Sequence, residues 1–531
     1  MNMHLLLLFL FMIYLMMPAV IYSNQSSFDI IIHNGRILDG TGNPWYYADI
    51  GITGNRITAI GNLSGAESKR SIDATGLYVA PGFIDAHSHA AGGLTTPGLR
   101  HAFPLLAQGI TVIVANPDGG GPVDLEQQRE ELMRDGMGVN VAQLIPHGSV
   151  RRSVMGTENR HATNEELDTM KAIVRHGMEY GAFGLSSGIF YVPGNFAPTE
   201  EYVALCSVVA EYGGVHQSHI RDESDYTVGV VAAVDEIIEI TKATGVTGII
   251  THIKALGTSV WGTSTEIIHN IERARAEGWP VFTDQYPYEA SATSIVSALV
   301  PAWAREGGTD ALRERLDEDE TREKILDGIV ENLKRRGGAG RIQYRRFSPD
   351  TSIEGRTLED ISGERNIPPE ELVLSQIEKG NPAIVSFNMH DDDIAAFMKQ
   401  PWTMTSSDGG LVKFGSGVPH PRNYGTFPRK IKKYVFEENV IGLEHAVRSM
   451  TSLTASTFGM HDRGILRPGM IADVVIFDPE NITDRATYQQ PHLYAEGMEY
   501  VIVNGGFAIE EGEFTSGKFG EVILKQRQYK D

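Results

Sequence analysis

The chain has 531 residues and a formal net charge of -22 at pH 7, with 41% hydrophobic and 21% charged residues. This length exceeds one ordinary hydrophobic core and predicts a large domain joined to a smaller one. The excess of negative charge argues against nucleic acid or an anionic membrane surface as a partner.

The first predicted element is an apolar segment at the amino terminus. The stretch from Leu5 to Met17 is almost wholly apolar, Pro18 breaks it, and Ser23 offers a small residue for cleavage. This pattern indicates a secretory signal peptide over residues 1–23, although no lysine or arginine precedes the apolar run. We therefore expect an exported protein, periplasmic or secreted, with an uncleaved membrane anchor as the alternative. No integral membrane domain is expected after removal of the signal, because no other stretch of the sequence is sufficiently apolar.

Short strands are predicted near both ends of the chain. Runs of alternating or continuous apolar residues, separated by Asn and Gly, are typical of strands and hairpins. They occur at residues 29–33, 48–52, 56–60, 472–477 and 500–504. The sequence therefore predicts one small β-domain that is formed by residues 28–76 together with residues 465–531.

The middle of the chain, residues 77–464, alternates apolar strands with helical patterns, which indicates βα units and a parallel sheet. Nine strands are predicted: one that ends at His87, and others at Thr111–Ala115, Val141–Pro146, Gly184–Ser187, Gly214–His219, Gly248–His252, Val281–Gln285, Ala383–Phe387 and Thr403–Ser407. With one of the nine as a rim or insertion strand, an eight-stranded βα barrel is expected. The alternation is lost over about residues 302–369, which predicts an insertion that acts as a lid or a substrate wall.

Polar residues follow many of the predicted barrel strands. His87 and His89 end the first strand, where alternation places both imidazoles on the same side. The others are Asp118, His147, Tyr191, His216, His219, His252, Lys254 and Asp408. Reactive side chains of βα barrels lie at the carboxyl ends of the strands. Several histidines and carboxylates at these ends therefore predict a zinc-type site with imidazole and oxygen ligands.

The motif Phe83-Ile-Asp-Ala-His-Ser-His89 resembles the first-strand signature of the amidohydrolase superfamily. Further segments make the chain similar to the N-acyl-D-amino-acid deacylase (D-aminoacylase) branch: Gly184-Leu-Ser-Ser-Gly-Ile-Phe-Tyr-Val-Pro-Gly194, Ser218-His-Ile-Arg-Asp-Glu223, Thr251-His-Ile-Lys254, Asp284-Gln-Tyr-Pro-Tyr288 and Ser406-Ser-Asp-Gly409. The resemblance extends from about Asp29 to the last strands. It implies a (β/α)8 barrel, a flanking β-sandwich formed by both chain ends, and one or two zinc ions.

The resemblance also implies a role for each candidate ligand. His219 and His252 would hold the principal zinc ion, and His87 and His89 would hold or line a second position. Asp408 would be the general base that takes a proton from the zinc-activated water and returns it to the leaving amine. The implied reaction is the hydrolysis of a linear amide. Its expected substrate is an N-acyl-D-amino acid, or a small dipeptide with a D-residue at its carboxyl end.

One position departs from the family pattern. Related deacylases have a cysteine ligand after the second barrel strand, whereas this chain reads Ala115-Asn-Pro-Asp-Gly119 and places Asp118 there. A carboxylate can ligate or bridge zinc, so Asp118 is an expected ligand, with an ordinary turn aspartate as the alternative. The strand Gly184–Ser187 contains no lysine that could be carbamylated. This counts against the alternative of a cyclic-amide hydrolase of the hydantoinase or dihydroorotase type.

A substrate with a free carboxylate requires a cation in the site. Arg221 lies two residues after His219, and Lys254 lies two residues after His252. In the family that the chain resembles, these positions and Tyr191 contact the substrate, and an arginine suits bidentate binding of a carboxylate. The alternative for Arg221 is a structural ion pair with Asp222 or Glu223.

Two further candidates for substrate contact are His147 and Tyr288, each of which is equally consistent with a supporting or packing role. A non-catalytic binding protein on the same barrel is the alternative from a different functional class. The loss of metal ligands would have been its signature, yet all four histidines and Asp408 are present.

Overall fold

The computed structural model describes residues 27–526 of the chain. The predicted signal peptide, residues 1–23, lies outside the described residues. Within the described range, no helix combines the length and the apolar composition that a membrane crossing needs.

The strands are numbered in chain order over residues 27–526. Five come first: β1 Phe28–Ile37, β2 Tyr46–Thr53, β3 Arg56–Gly61, β4 Ser68–Asp73 and β5 Tyr78–Pro81. The middle of the chain contains β6 Phe83–Asp85, β7 Ile110–Ala115, β8 Asn140–Gln143, β9 Ile145–Pro146, β10 Gly184–Gly188, β11 Val215–His219, β12 Thr247–Ile250, β13 Val281–Gln285, β14 Ala290–Ser294, β15 Ile342–Arg346, β16 Ala383–Phe387 and β17 Thr403–Thr405. The last are β18 Val474–Phe477, β19 Met498–Val503, β20 Gly506–Glu510, β21 Glu513–Phe514 and β22 Val522–Ile523.

Helices separate most of the strands in the middle of the chain. They are Ala91–Leu94, Phe103–Leu106, Leu125–Met133, His147–Met155, Asn164–Tyr180, Thr199–Glu211, Val230–Thr244, Ser264–Ala276, Ile295–Leu299, Gly308–Leu316, Asp319–Arg335, Leu358–Arg365, Pro369–Ile377, Asp391–Met398, Arg422–Arg429, Leu443–Met450 and Ser452–Phe458. A π-helical segment, Lys430–Glu437, continues the helix Arg422–Arg429. Local sequence sets their limits: Thr163 and Glu166 form a capping box at the start of Asn164–Tyr180, and Gly181 ends that helix with a φ of 115°.

The two ends of the chain form a β-sandwich. Its sheet has the order β21-β20-β19-β18-β5-β1-β2-β3, and β4 pairs with β1. The apolar faces of these strands pack on one another, with Ile32, Ile50, Ile476 and Ile502 fully buried in the same cluster. The final strand leaves this domain, since β22 pairs in parallel with β8 of the barrel.

The middle of the chain forms a barrel of parallel strands. Strands β6, β7 and β8 pair in order, as do β9, β10, β11, β12, β13 and β17. Residue Leu144 separates β8 from β9, so these two short strands occupy one position and the barrel has eight. Its two ends meet where the Asp408 amide donates to the His87 carbonyl at 2.9 Å. The expected (β/α)8 barrel with a β-sandwich is confirmed.

One of the nine predicted strands, Ala383–Phe387, belongs to a separate sheet. This sheet has the order β14-β16-β15 and is antiparallel. Helices between β14 and β16 cover one of its faces and give it a core of its own, which includes Leu299, Ile329 and Tyr344. The expected insertion, about residues 302–369, lies between β14 and β16. The opposite face of the sheet turns toward the barrel.

Candidate metal centre

The residues that follow the barrel strands converge on one point, and their backbone is unusual. Asp118, His252 and Asp408 have φ angles of 54°, 35° and 47°. Positive φ is uncommon for residues other than glycine and occurs mainly where the surrounding structure enforces it. The turns after β7, β12 and β17 therefore hold these three side chains in set directions.

One group of possible metal ligands consists of His87, His89, Asp118 and Asp408, whose ligand atoms lie within 4.8 Å of one another. The His89 Nε2 atom lies 3.2 Å from Asp408 Oδ1 and 3.4 Å from Asp118 Oδ2. The His87 Nε2 atom lies 3.5 Å from Asp118 Oδ1. Two imidazoles and two carboxylates thus face a common centre.

A second group consists of Asp118, His219 and His252. The His252 Nε2 atom lies 3.4 Å from Asp118 Oδ1 and 2.9 Å from His219 Nδ1. Asp118 belongs to both groups, and each of its oxygens faces a histidine. The structure brings all five sequence-predicted ligands and Asp408 together at this place.

The hydrogen bonds around His87 indicate which of its ring nitrogens carries the hydrogen. Thr251 Oγ1 lies 2.6 Å from His87 Nδ1 and donates its single proton to Asp284 Oδ2, also at 2.6 Å. The hydroxyl must therefore accept a hydrogen bond from the His87 Nδ1–H group. This leaves the lone pair of His87 on Nε2. Within the described part of the chain, this atom and Asp118 Oδ1 are buried and have no hydrogen-bond partner. A buried lone pair and a buried carboxylate oxygen that face each other without a donor are suited to a cation.

Asp284, at the end of β13, supports this arrangement. Besides Thr251, it accepts hydrogen bonds from the His252 amide at 2.8 Å and from Ser406 Oγ at 2.6 Å. It therefore ties three barrel strands together beneath the ligands. Asp284 belongs to the motif Asp284-Gln-Tyr-Pro-Tyr288, but no role was predicted for it. Its position at a strand end was the available signal.

The charges of the site influence one another. Burial raises the pKa of Asp408, but the Arg422 guanidinium and His89 outweigh this and hold it well below the ordinary value. Burial lowers the pKa of His89, but its contacts with Asp118 and Asp408 outweigh this and raise it to about 9. The carboxylates are therefore ionised at neutral pH, as metal ligands and proton acceptors need to be.

The ligands open into a cavity of about 400 Å³, whose lining includes His89, Asp118, Tyr191, His219, His252, Lys254 and Asp408. Lys254 Nζ donates to Glu223 Oε1 at 2.5 Å and approaches His252 Nδ1 at 2.7 Å. Tyr191 and Lys254 thus lie in the cavity, as expected from the sequence. Glu223 was expected only as an alternative partner of Arg221.

Arg221 lies outside the lining of this cavity. Its guanidinium donates to both oxygens of Glu236, at 2.7 and 2.9 Å, and to the carbonyl groups of Asn195 and Ala197. Strand β11 ends at His219, so the alternation that would place Arg221 beside His219 no longer applies. The expected carboxylate-binding role does not fit this position.

Two other expected substrate contacts also lie outside the cavity lining. His147 is fully buried, and its Nε2 atom lies 2.9 Å from Glu201 Oε1. Tyr288 is buried beneath the guanidinium of Arg429, which lies 4.7 Å from its ring centre. Both positions are consistent with packing, the alternative that the sequence left open.

A second cation beside the ligands is Arg422, which no sequence pattern had indicated. Its Nη1 atom lies 2.9 Å from Asp408 Oδ2, and its guanidinium lies 4.7 Å from the ring centre of Tyr286. Arg422 Nε and Tyr286 Oη are buried and find no hydrogen-bond partner among the described residues. Two donors at the edge of the cavity are thus available to an acceptor.

Comparisons with known proteins agree with this arrangement. A profile described as "Amidohydrolase family" matches residues 70–509. Over 526 residues the chain is 32% identical to a D-aminoacylase from Alcaligenes xylosoxydans xylosoxydans, with 95% of this chain and 99% of that protein covered. Over 504 residues it is 33% identical to an N-acyl-D-glutamate deacylase from the same organism, with 91% and 93% covered.

Among solved structures, the chain is similar to N-acyl-D-glutamate deacylase from Bordetella bronchiseptica. That structure contains zinc and a phosphonate inhibitor that mimics the tetrahedral intermediate of the reaction. The TM-score is 0.80 and the identity 32%, with 94% of this chain and 100% of that chain covered.

Proposed function

The chain belongs to the amidohydrolase family, in its D-aminoacylase branch, and we propose that it is a zinc-dependent hydrolase that removes the acyl group from N-acyl-D-amino acids. The observation that carries this proposal is the convergence of four histidines with Asp118 and Asp408 on one cavity, beside an arginine with a free donor. A small dipeptide with a D-residue at its carboxyl end presents the same groups and is included in the proposal.

The donor set fits zinc. Imidazole nitrogen and carboxylate oxygen are zinc ligands, and the unpartnered His87 Nε2 and Asp118 Oδ1 atoms need a cation. His87, His89, Asp118 and Asp408 would hold one ion, and His219 and His252 would hold an ion with Asp118. When bound, zinc polarises the amide carbonyl and lowers the pKa of a water molecule to about 7.

Asp408 is the proposed general base and acid. Its Oδ1 atom faces His89, and its Oδ2 atom faces Arg422. The low pKa that Arg422 imposes, against the effect of burial, keeps the carboxylate ionised and able to accept the proton of the attacking water. The same carboxyl group, once protonated, can deliver that proton to the nitrogen of the leaving amine.

Arg422 and Tyr286 are the proposed site for the free carboxylate of the substrate. The unpartnered Arg422 Nε and Tyr286 Oη are donors, and a carboxylate accepts from both. A carboxylate at this place is adjacent to Asp408, so it would hold the scissile amide beside the proton carrier. Lys254 donates a hydrogen bond to Glu223 and contacts the Nδ1 atom of His252. It therefore supports a metal ligand and is not the proposed carboxylate site.

A hydrolysis screen tests the proposal. N-acetyl amino acids of both enantiomeric series, together with hydantoin, are incubated with the enzyme before and after treatment with a chelator. We expect turnover of D-enantiomers, loss of turnover with the chelator, and recovery with zinc. Turnover of hydantoin without any acyl amino acid would identify a cyclic-amide hydrolase. The absence of both turnover and bound metal would identify a binding protein.

We further propose that the protein is exported. Support comes from the apolar run between Leu5 and Met17 and from the small residue Ser23 after it. Cys206 is the single cysteine of the sequence and is buried. Because one thiol cannot form an internal disulfide, the exported protein would fold without one. Sequencing the amino terminus of the protein recovered from the producing cell tests this. A mature chain that begins near Asn24 is expected, and one that retains residues 1–23 would contradict cleavage.

A further inference from the structure

A second guanidinium, that of Arg345, enters the cavity from the insertion. Arg345 lies on β15, where residues alternate between the two faces of the insertion sheet. Ile342 and Tyr344 are buried in the core of the insertion. Arg345 points the other way and lines the cavity above the metal ligands. It therefore reaches the site from a different segment of the chain than Arg422.

Arg345 has no acidic partner among residues 27–526. The three acids that line the cavity are otherwise engaged: Glu223 with Lys254, Asp408 with Arg422, and Asp118 with the histidines. The Arg345 Nε atom is buried and has no hydrogen-bond partner in this part of the chain. Among the described residues, Arg345 is thus the one lining arginine whose guanidinium has neither a carboxylate nor a hydrogen-bonded carbonyl.

Arg336, the remaining arginine of the cavity, provides a comparison. Its Nε donates to the Ala298 carbonyl at 3.3 Å, and its guanidinium lies 5.8 Å from the ring centre of Tyr226. Neutral groups therefore hold Arg336 in place. Within residues 27–526, Arg345 lacks such contacts, although even partial burial of an unpaired cation is costly. Burial, with a further contribution from Arg422, lowers the pKa of Arg345 to about 10, so it is still charged at neutral pH.

The two arginines Arg422 and Arg345 indicate how many carboxylates a preferred substrate carries. One carboxylate of a substrate engages Arg422 and Tyr286, the pair beside Asp408. A substrate with only that carboxylate leaves the partly buried Arg345 guanidinium without an anionic partner. A second carboxylate on the same substrate would give Arg345 a bidentate partner and remove this cost.

We propose that the preferred substrates are N-acyl derivatives of acidic D-amino acids, and that Arg345 binds the carboxylate of the substrate side chain. This inference rests on the proposed deacylase function and specifies its substrate class. Arg345 contributes to the choice of side chain, whereas Arg422 serves every acyl amino acid through the α-carboxylate.

The test compares N-acetyl-D-glutamate and N-acetyl-D-aspartate with N-acetyl-D-glutamine, a neutral substrate of nearly the same shape as the first. In the wild type, we expect kcat/KM for the better acidic substrate to exceed that for the glutamine derivative by about 100-fold or more. In Arg345→Met, this ratio should fall to near one, mainly through loss of activity on the acidic substrate. Arg345→Lys should restore part of the preference.

Arg346→Met is the matched control, because Arg346 is the exposed neighbour of Arg345 on the same strand. It should keep the wild-type ratio. Zinc content and thermal melting of Arg345→Met establish that the site and the fold are intact. If Arg345→Met loses zinc and unfolds, the substrate preference of Arg345→Lys decides whether Arg345 reads the side chain.

Distinct outcomes overturn the two proposals. Equal losses on the acidic and the neutral substrate in Arg345→Met would show that Arg345 does not read the side chain. A wild type that prefers neutral acyl-D-amino acids would also refute this inference while the deacylase function stands. A wild type that hydrolyses none of these compounds would refute the deacylase function, and the inference with it.

Discussion

Asp408 and Arg422 form a buried ion pair beside the metal centre, with 2.9 Å between Asp408 Oδ2 and Arg422 Nη1. The other oxygen of Asp408 lies 3.2 Å from His89 Nε2. One carboxylate therefore faces both the imidazole cluster and the cation that we assign to the substrate. This geometry connects proton transfer to substrate binding, and the first predictions follow from it.

Asp408→Asn should fold and lose most of its kcat. The amide of asparagine cannot accept the proton of the attacking water, and general acid–base catalysis contributes about 100- to 10,000-fold to rates. Steady-state kinetics with an N-acetyl-D-amino acid measure the loss, and zinc analysis controls for the proximity of Asp408 to the ligands. Turnover close to that of the wild type would refute the assigned role.

Arg422→Met should impair substrate binding, whereas Arg221→Met should mainly reduce stability. Loss of Arg422 removes the proposed carboxylate site, so kcat/KM should fall by about 100-fold for an acyl-D-amino acid and much less for the corresponding amide. Arg221 pairs with Glu236, so Arg221→Met should lower the melting temperature with a far smaller kinetic effect. The ratio of the two substrates is measured in both variants. The opposite pattern would return the substrate role to Arg221.

Asp118→Ala should weaken zinc binding, because its oxygens face all four histidines. Asp118→Cys should bind zinc at least as tightly as the wild type, since thiolate is a good zinc ligand. Competition with a chromophoric chelator measures both affinities. In the cobalt-substituted protein, only Asp118→Cys should show a thiolate charge-transfer band. Wild-type zinc affinity in Asp118→Ala would make Asp118 a turn residue.

Stability should depend on pH through Lys430, a buried lysine at the start of the π-helical segment. It donates to Thr405 and Ser449 in a buried place, and burial lowers its pKa from 10.5 to about 7. The unfolded chain therefore binds a proton that the folded chain has released between pH 7 and 10.5. The contribution of Lys430 to the free energy of unfolding rises with pH in this window, by at most about 1.4 kcal/mol per pH unit.

Lys430→Met removes this dependence. The melting temperature of Lys430→Met minus that of the wild type should be highest at pH 7 and should decrease toward pH 9. Lys399→Met, at an exposed position, is the control and should show no such trend. A difference for Lys430→Met that stays constant from pH 7 to 9 would contradict the lowered pKa.

The sequence predicted the barrel, the sandwich and the ligand cluster because their signals are local. His87 and His89 are two residues apart at a strand end, and His219, His252 and Asp408 each follow a strand or end one. The common edge of a parallel barrel then brings them together without further information.

The substrate side of the cavity was harder to predict, because it depends on segments that leave the barrel. Arg221 follows the last residue of β11, where strand alternation no longer applies. Arg422 begins a helix well after β17, and Arg345 lies on a sheet of the insertion. No local pattern relates these arginines to the ligands. Only the packing of these segments against the barrel distinguishes Arg345 and Arg422, which line the cavity, from Arg221, which does not.

The central claim is that the histidines hold zinc that hydrolysis needs. The most direct measurement is a zinc titration of the metal-depleted wild type, with bound zinc and turnover of an N-acetyl-D-amino acid followed in the same samples. Turnover should rise with bound zinc and level off when the sites are filled. His219→Ala should gain no turnover and should bind less zinc than the wild type, because it lacks one ligand of the group that also contains Asp118 and His252. His269→Ala, at an exposed site, should behave as the wild type. Full turnover by the metal-depleted wild type, or zinc and activity retained in His219→Ala, would contradict the account.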